Sequence, residues 1–267
     1  MKQKGTMKFS GKDNRSGLTH YETKTGFYSK QTPEPGSHAD DENIQKNCRA
    51  AGSVNGLAGD LNKILKLYVS GYMDTGIYFK FTSPFFKAKP ASRLGRLMTL
   101  RGMNAHPRHT LNAAMDVPKI TVTATEDTVS VKTEITRHAE LVKNKKFYSL
   151  QIILVLWNSE NEEYSHAEKY TQWLNPSKPL PLRYTFKFEK PVNSTEYMVM
   201  CCCMRGEEAN DKRIPPEKAL KIMEVGSFDE RAMAEWLACQ SEKKNVGVEN
   251  PGSKIERDEA LAQEPDE

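Results

Sequence analysis

The sequence has no long apolar run. A helix that crosses a bilayer needs about 18 or more consecutive apolar residues, and none occurs here. The N-terminal segment is basic but has no apolar core of roughly 7–15 residues, so it does not resemble a secretory signal. We therefore expect no membrane partner.

Cysteine is scarce, and its pattern does not fit a disulfide framework. There are five cysteines, an odd number, and three of them are the consecutive Cys201, Cys202 and Cys203. Secreted disulfide-rich domains have spaced and usually even cysteines. The pattern favours synthesis in a reducing cytoplasm and a buried, structural role for the triplet.

Motifs for catalysis and for cofactors are also missing. No GxGxxG, GxxxxGK[ST], GxSxG or HExxH pattern occurs. His106 and His109 form a close pair, but no carboxylate lies nearby in the sequence and arginines surround them, which favours a structural or anion-contacting role over a metal site. We therefore predict a protein that is not an enzyme and that carries no cofactor and no metal.

The most apolar stretch in the chain is Lys146–Asn158. Four leucine and isoleucine positions alternate there and are predicted core residues: Leu150, Ile152, Leu154 and Leu156. From Ile152 onward both faces are apolar, which is typical of a strand that is covered on both sides. We predict that it is the central strand of a β-domain.

Period-two patterns follow Pro118 and predict seven short strands separated by turn formers. The predicted strands are Lys119–Thr125, Thr128–Thr136, Lys146–Asn158, Tyr164–Trp173, Leu180–Glu189, Glu196–Met204 and Ala219–Gly226. This number and spacing favour an immunoglobulin-like or fibronectin-III-like antiparallel β-sandwich over residues 118–226. The fold class is then α+β, because helices are predicted on either side.

The region before the sandwich, residues 41–117, is predicted to be mainly helical. An apolar stripe over Asp40–Ser70 indicates one long helix that Gly71 would cap, with a break near Gly56 as the alternative. A short strand is predicted from Gly76 and is stopped by Pro84. A second helix is predicted over Ser92–Met103, with its arginines largely outside the apolar face.

The two ends of the chain are predicted to be less regular. Residues 1–40 are polar and indicate an extended arm or a short β-hairpin. Ser227 and Glu230 fit a capping box that starts a helix over 227–244. Residues 245–267 are acidic and contain proline, which predicts a disordered tail.

Charge is distributed very unevenly. Residues 75–115 contain seven lysines and arginines and no aspartate or glutamate, whereas the chain from Gly206 onward has a charge of 9 − 16 = −7. Aromatic residues interleave with these cations, which is compatible with phosphate contacts and base stacking. The simpler interpretation is a solvated basic face whose aromatics pack on the sandwich. If the stretch binds nucleic acid, the predicted contact residues are Lys87, Lys89, Arg93, Arg96, Arg101 and Arg108.

Four segments together carry a resemblance: Thr25–Lys30 with its Gly-aromatic phrase, the helix Asn43–Val69, the phrase Leu100–Ala105 and the sandwich 118–226. In this layout the chain resembles a family of uncharacterised bacterial proteins with phage-like or mobile-element-like character. The acidic tail and the cysteine triplet depart from that plan. The resemblance implies no activity and no site residue, but it favours a component of a particle or assembly.

Three functions are compared, and two follow as expectations; the third, a small enzyme whose site is too diffuse to recognise in the sequence, is disfavoured. The first is a non-enzymatic structural or protein-interaction component of a phage-like or mobile-element particle, made in the cytoplasm and found in the virion or particle. Its partner would be another protein or further copies of itself, with the N-terminal arm and the glycine-rich helix as binding parts. The alternative is a nucleic-acid-binding accessory protein that uses residues 75–115.

Overall fold

A computed structural model describes residues 11–13, 18–23, 26–31, 42–141, 145–161, 163–177, 183–207 and 216–246. The chain separates into two compact units, residues 1–53 and residues 54–267. Nearly all of the predicted acidic tail, from residue 247 onward, lies outside the described residues.

The first unit contains a small antiparallel sheet. Its strands are β1 (Gly11–Asp13), β2 (Leu18–Thr23) and β3 (Gly26–Gln31), and β2 lies in the middle. β2 and β3 form a tight hairpin, since Thr23 pairs directly with Gly26.

Five helices are described: α1 (Glu42–Val69), α2 (Ile77–Lys87), α3 (Arg93–Met98), α4 (Leu111–Ala114) and α5 (Glu230–Val246). Helix α1 continues through Gly56, so the alternative of a break there is wrong. Gly71 adopts the positive φ of +84° that favours glycine, and it follows the end of α1 as predicted. Within the described residues, no helix has the length and apolarity needed to cross a bilayer.

The strand predicted from Gly76 is wrong, because this segment is helix α2. The alternation of Ile77, Phe79 and Phe81 suggested period two, but burial follows a spacing of four residues. Ile77, Phe81 and Phe85 are at most 1% exposed, whereas Phe79 is 72% exposed. Pro84 lies inside α2 and does not stop it.

Two helix boundaries also differ from prediction. Helix α3 ends at Met98 rather than Met103, and Ser92 caps it by accepting a hydrogen bond from the Gly95 N–H at 3.1 Å. Helix α5 begins at Glu230, where Asp229 accepts from the Arg231 N–H at 2.9 Å. The capping box predicted from Ser227 is wrong, because the Ser227 hydroxyl accepts from the Asp229 N–H before the helix begins.

All seven strands predicted in the second unit are confirmed. They are β4 (Lys119–Ala124), β5 (Thr128–Glu134), β6 (Phe147–Asn158), β7 (Tyr164–Tyr170), β8 (Arg183–Glu189), β9 (Ser194–Gly206) and β10 (Glu217–Ser227). They form two antiparallel sheets, one in the order β10-β9-β6-β7 and one in the order β4-β5-β8. The two sheets pack together, which is consistent with a β-sandwich, and the fold class is α+β.

The core between the two sheets confirms the predicted central strand. Leu150, Ile152, Leu154 and Leu156 of β6 are at most 3% exposed. They share one hydrophobic cluster with residues of the sheet β4-β5-β8, among them Phe188.

A second core covers the opposite face of the four-stranded sheet. Ile153, Val155 and Trp157 of β6 belong to the same cluster as Leu61 and Ile64 of α1, together with apolar residues of α2 and α3. The four-stranded sheet is therefore the middle of three layers, with helices on one face and the other sheet on the other face.

The cysteine triplet alternates between these two cores, as period two predicts. Cys201 and Cys203 lie in the core between the sheets, and Cys202 lies in the core under the helices; all three are 0% exposed. Burial raises the pKa of the Cys202 thiol to about 12, so it remains protonated at neutral pH. The prediction that the triplet serves core packing is confirmed.

Candidate interaction surface

The basic stretch 75–115 is folded into the helical layer, and its predicted contact residues do not form one exposed group. Arg93 is the clearest example. Its guanidinium forms an ion pair with Glu196 of β9 and donates to the backbone carbonyl groups of Asn158 and Asn161. Its side chain is only 22% exposed, so Arg93 connects α3 to the four-stranded sheet.

Arg96 and Arg101 are also engaged within the fold. Arg96 is 8% exposed, so the prediction that it lies largely outside the apolar face of its helix is wrong. Arg101 lies in the turns after α3 and pairs with Glu224 of β10 at 2.7 Å, although half of its side chain stays exposed.

One carboxylate that neutralises the stretch directly precedes it in the sequence, and two others come from distant strands. Lys80 pairs with Asp74, whose pKa the neighbouring ammonium group lowers, and the arginines pair with Glu196 and Glu224. Only Glu224 belongs to the acidic part of the chain after Gly206. The fold itself therefore offsets part of the positive charge that appears unbalanced in the sequence.

The two neighbouring histidines belong to a polar cluster at the start of β10. The Nδ1 atom of His109 lies 3.4 Å from Glu217, which also pairs with Arg205 at 2.9 Å. The ring centroids of His106 and His109 are 4.8 Å apart, and burial together with this neighbour lowers the pKa of His106. Among the described residues, no group of three or more histidine, cysteine, aspartate or glutamate residues is placed to hold a metal ion.

Besides Arg101, three of the predicted contact residues are exposed: Lys87, Lys89 and Arg108. In the described part of the chain none of the three forms an ion pair. Lys87 and Lys89 lie at the C-terminal end of α2. Arg108 lies in the loop whose His106 is close enough to Asp74, just before α2, to influence the pKa of Asp74.

The outer side of α2 carries two exposed aromatic residues. Phe79 is 72% exposed and Phe86 is 57% exposed, and a spacing of seven residues places them on one side of the helix. Lys87 and Lys89 follow Phe86 in the sequence. We call Phe79, Phe86, Lys87 and Lys89 the α2 face.

Sequence reasoning missed this surface because α2 was predicted as a strand. It expected the aromatics of the stretch to pack on the sandwich, and Phe81 and Phe85 do so. A helical interpretation would have placed Phe79 and Phe86 opposite to that buried side. The signal was therefore present in the sequence, as two phenylalanines seven residues apart.

No protein-family model, no curated protein and no solved structure matches this chain. The function is therefore inferred from the surface of this chain and from its fold.

Proposed function

We propose that the protein is a non-enzymatic interaction component whose α2 face binds a protein partner. The seven strands would form an immunoglobulin-like or fibronectin-III-like sandwich that serves as a rigid body. Support comes from the strand order, in which the first, second and fifth strands form one sheet and the other four form the second sheet. The resemblance described above extends the proposal to a phage-like or mobile-element particle, with synthesis in the cytoplasm.

The observation that carries the proposal is the exposure of Phe79 and Phe86 beside two lysines that form no ion pair in the described structure. Buried aromatic anchors dominate many protein interfaces, and charged groups surround them at the rim. The α2 face therefore fits a partner with an apolar pocket and an acidic rim.

The apolar stripe of α1 supports this assignment by elimination. The sequence predicts that the glycine-rich helix binds a partner, but from Val54 onward its apolar side is buried in the core of this chain. The glycines of this helix do not lie on that buried side, since an added Cβ at Gly56 or Gly59 meets nothing within 4 Å. Of the two helices, α2 is the one with exposed aromatic side chains.

The test is affinity capture from the native host with three forms of the full chain: wild type, the double variant Phe79→Ser/Phe86→Ser, and Val192→Ser. Val192 is 82% exposed in a turn between strands, so it controls for the loss of an exposed apolar side chain. We expect that a partner captured by wild type and by Val192→Ser is lost with the double variant. Equal recovery by all three forms would contradict the proposal, provided that all three melt at the same temperature.

A second candidate function, nucleic-acid binding, is favoured by the same lysines. Lys87 and Lys89 could contact phosphates while Phe79 and Phe86 stack on bases. Replacing all six predicted cations would also break the Arg93–Glu196 contact, so the sharper variant changes only Lys87, Lys89 and Arg108 to glutamine. In titrations with labelled single-stranded and double-stranded DNA at two salt concentrations, nucleic-acid binding predicts a smaller salt dependence for this variant. An unchanged, weak binding curve excludes this function.

A further inference from the structure

The four-stranded sheet has one covered edge and one open edge. Along β10 the edge is closed by the segment 102–105: the Gly102 N–H donates to Ile222 O at 2.8 Å, and the Ala105 N–H donates to Leu220 O at 2.9 Å. The other edge is β7. In the part of the chain that the structure describes, β7 pairs with β6 and with no other strand.

The hydrogen-bond pattern shows which backbone groups of β7 point outward. The Thr171 N–H donates to Leu150 O at 2.9 Å, and the Asn158 N–H donates to Glu163 O at 3.0 Å. In an antiparallel pair the bonded residues alternate, so the odd-numbered residues of β7 face β6. The N–H and C=O groups of the even-numbered residues therefore face away from the sheet: Tyr164, His166, Glu168 and Tyr170.

The sequence of β7, Tyr-Ser-His-Ala-Glu-Lys-Tyr, is complementary to itself when it is reversed about Ala167. An antiparallel pairing of two copies centred on Ala167 places His166 opposite Glu168 and Tyr164 opposite Tyr170, each twice. Histidine opposite a carboxylate and aromatic opposite aromatic are favourable cross-strand pairs. In this register the four residues whose backbone groups face away from β6 are paired only with one another.

We propose that β7 pairs antiparallel with β7 of a second copy of this chain, with a two-fold axis at Ala167. The two four-stranded sheets would then form one continuous eight-stranded sheet. Such an interface is isologous and closes after two subunits.

Other registers about a two-fold axis are less favourable. Centring the pair on Glu168 would place two carboxylates directly opposite each other, and like charges there are destabilising. Centring it on His166 would oppose the two imidazoles and leave Tyr170 beyond the end of the partner's β7. The charges of β7 therefore select the register at Ala167.

The side chains of this edge are held in place by contacts within their own chain. The His166 Nδ1 atom lies 2.6 Å from the hydroxyl of Tyr68, which leaves the imidazole Nε2 for a contact with the second copy. Glu168 accepts from the Gln151 amide. Held side chains lose less conformational entropy when the second copy binds.

The strand has few of the features that keep natural edge strands unpaired. It has no proline and no bulge, and its single lysine, Lys169, lies 5.7 Å from the ring centre of Phe188 in the other sheet. Its residues from Ser165 to Tyr170 are all exposed.

This inference rests on the proposed interaction function and deepens it by naming a second copy as one partner. It uses a surface different from the α2 face. Failure at β7 would therefore leave the capture experiment with Phe79 and Phe86 unaffected, and the reverse is also true.

The experiment is sedimentation equilibrium on four forms of the full chain: wild type, His166→Glu, the exchange variant His166→Glu/Glu168→His, and Val192→Ser. His166→Glu would place carboxylates opposite carboxylates, so we expect dimerisation to weaken by about tenfold or more. The exchange variant restores the opposite pairing and should restore the dimer, and Val192→Ser should match wild type.

Three results would overturn the inference. A monomeric wild type would mean that β7 does not bind a second copy, even if this edge binds a strand of another protein. An unchanged dimerisation constant for His166→Glu would place the contact elsewhere, and failure of the exchange variant to recover would refute the register. Glu168→Pro is a second blocking variant, since proline there removes an N–H that points away from β6, and thermal melts confirm that each variant is folded.

Discussion

Replacing Trp157 by alanine is expected to lower the free energy of unfolding by about 3–5 kcal/mol. The side chain is 1% exposed and lies on the face of β6 that the helices cover. Its removal leaves a cavity between the helical layer and the sheet, because the surrounding backbone elements are held by their own hydrogen bonds. Urea denaturation followed by circular dichroism measures the change.

Two further variants make this result specific. Leu154→Ala removes a side chain that is 1% exposed on the opposite face of β6, and it should cost about 2–5 kcal/mol. Val192→Ala at an 82% exposed position should change stability little. A loss well under about 1 kcal/mol for Trp157→Ala would mean that the helices do not cover that face.

Glu217→Gln is expected to destabilise the protein by about 3–5 kcal/mol, the range for breaking a buried ion pair from one side. The side chain of Arg205 is only 8% exposed, and its guanidinium pairs with Glu217 at 2.9 Å and donates to Glu140 O at 3.2 Å. Within the described residues its Nε has no hydrogen-bond partner. Removing the charge of Glu217 therefore leaves a poorly compensated buried cation.

The double variant Arg205→Met/Glu217→Met separates this charge effect from a packing effect. Replacing both partners by apolar residues of similar volume is often close to neutral, so the double variant should recover most of the stability. Glu160→Gln, in an exposed loop, is the matched control for the loss of one carboxylate. Equal losses in the single and the double variant would contradict the ion-pair explanation.

The strands could be predicted because their signal is local. Alternation along β6 marks Leu150, Ile152, Leu154 and Leu156 as one face, and the apolar residues between them mark the second. The same alternation divides the cysteine triplet between two cores. The alternation does not show which layer covers each face of β6, because α1 is distant from β6 in the sequence.

The ion pairs could not be predicted for the same reason. Arg93 and Glu196 are 103 residues apart, and Arg101 and Glu224 are 123 residues apart. No local pattern pairs such residues, so the stretch 75–115 looked unbalanced. The burial of Arg96 likewise depends on the packing of α3 against other elements rather than on its helical position alone.

The candidate surface was missed because two periodicities compete in α2. Ile77, Phe79 and Phe81 alternate over a short span, whereas Ile77, Phe81 and Phe85 repeat every four residues. Short apolar runs satisfy both patterns, and only packing distinguishes them. The helical choice buries Phe81 and Phe85 and exposes Phe79 and Phe86, which creates the α2 face.

Native-state hydrogen exchange tests most directly whether α1 and both sheets share one cooperative core. The claim matters for function, because it removes the apolar stripe of α1 from the candidate interaction surfaces and leaves the α2 face. We predict that the amides of Leu61, Ile64 and Leu65 in α1 exchange as slowly as those of Ile152 and Leu154 in β6, through the same global unfolding. Fast amide exchange in α1 together with slow exchange in β6 would contradict the claim of one cooperative core.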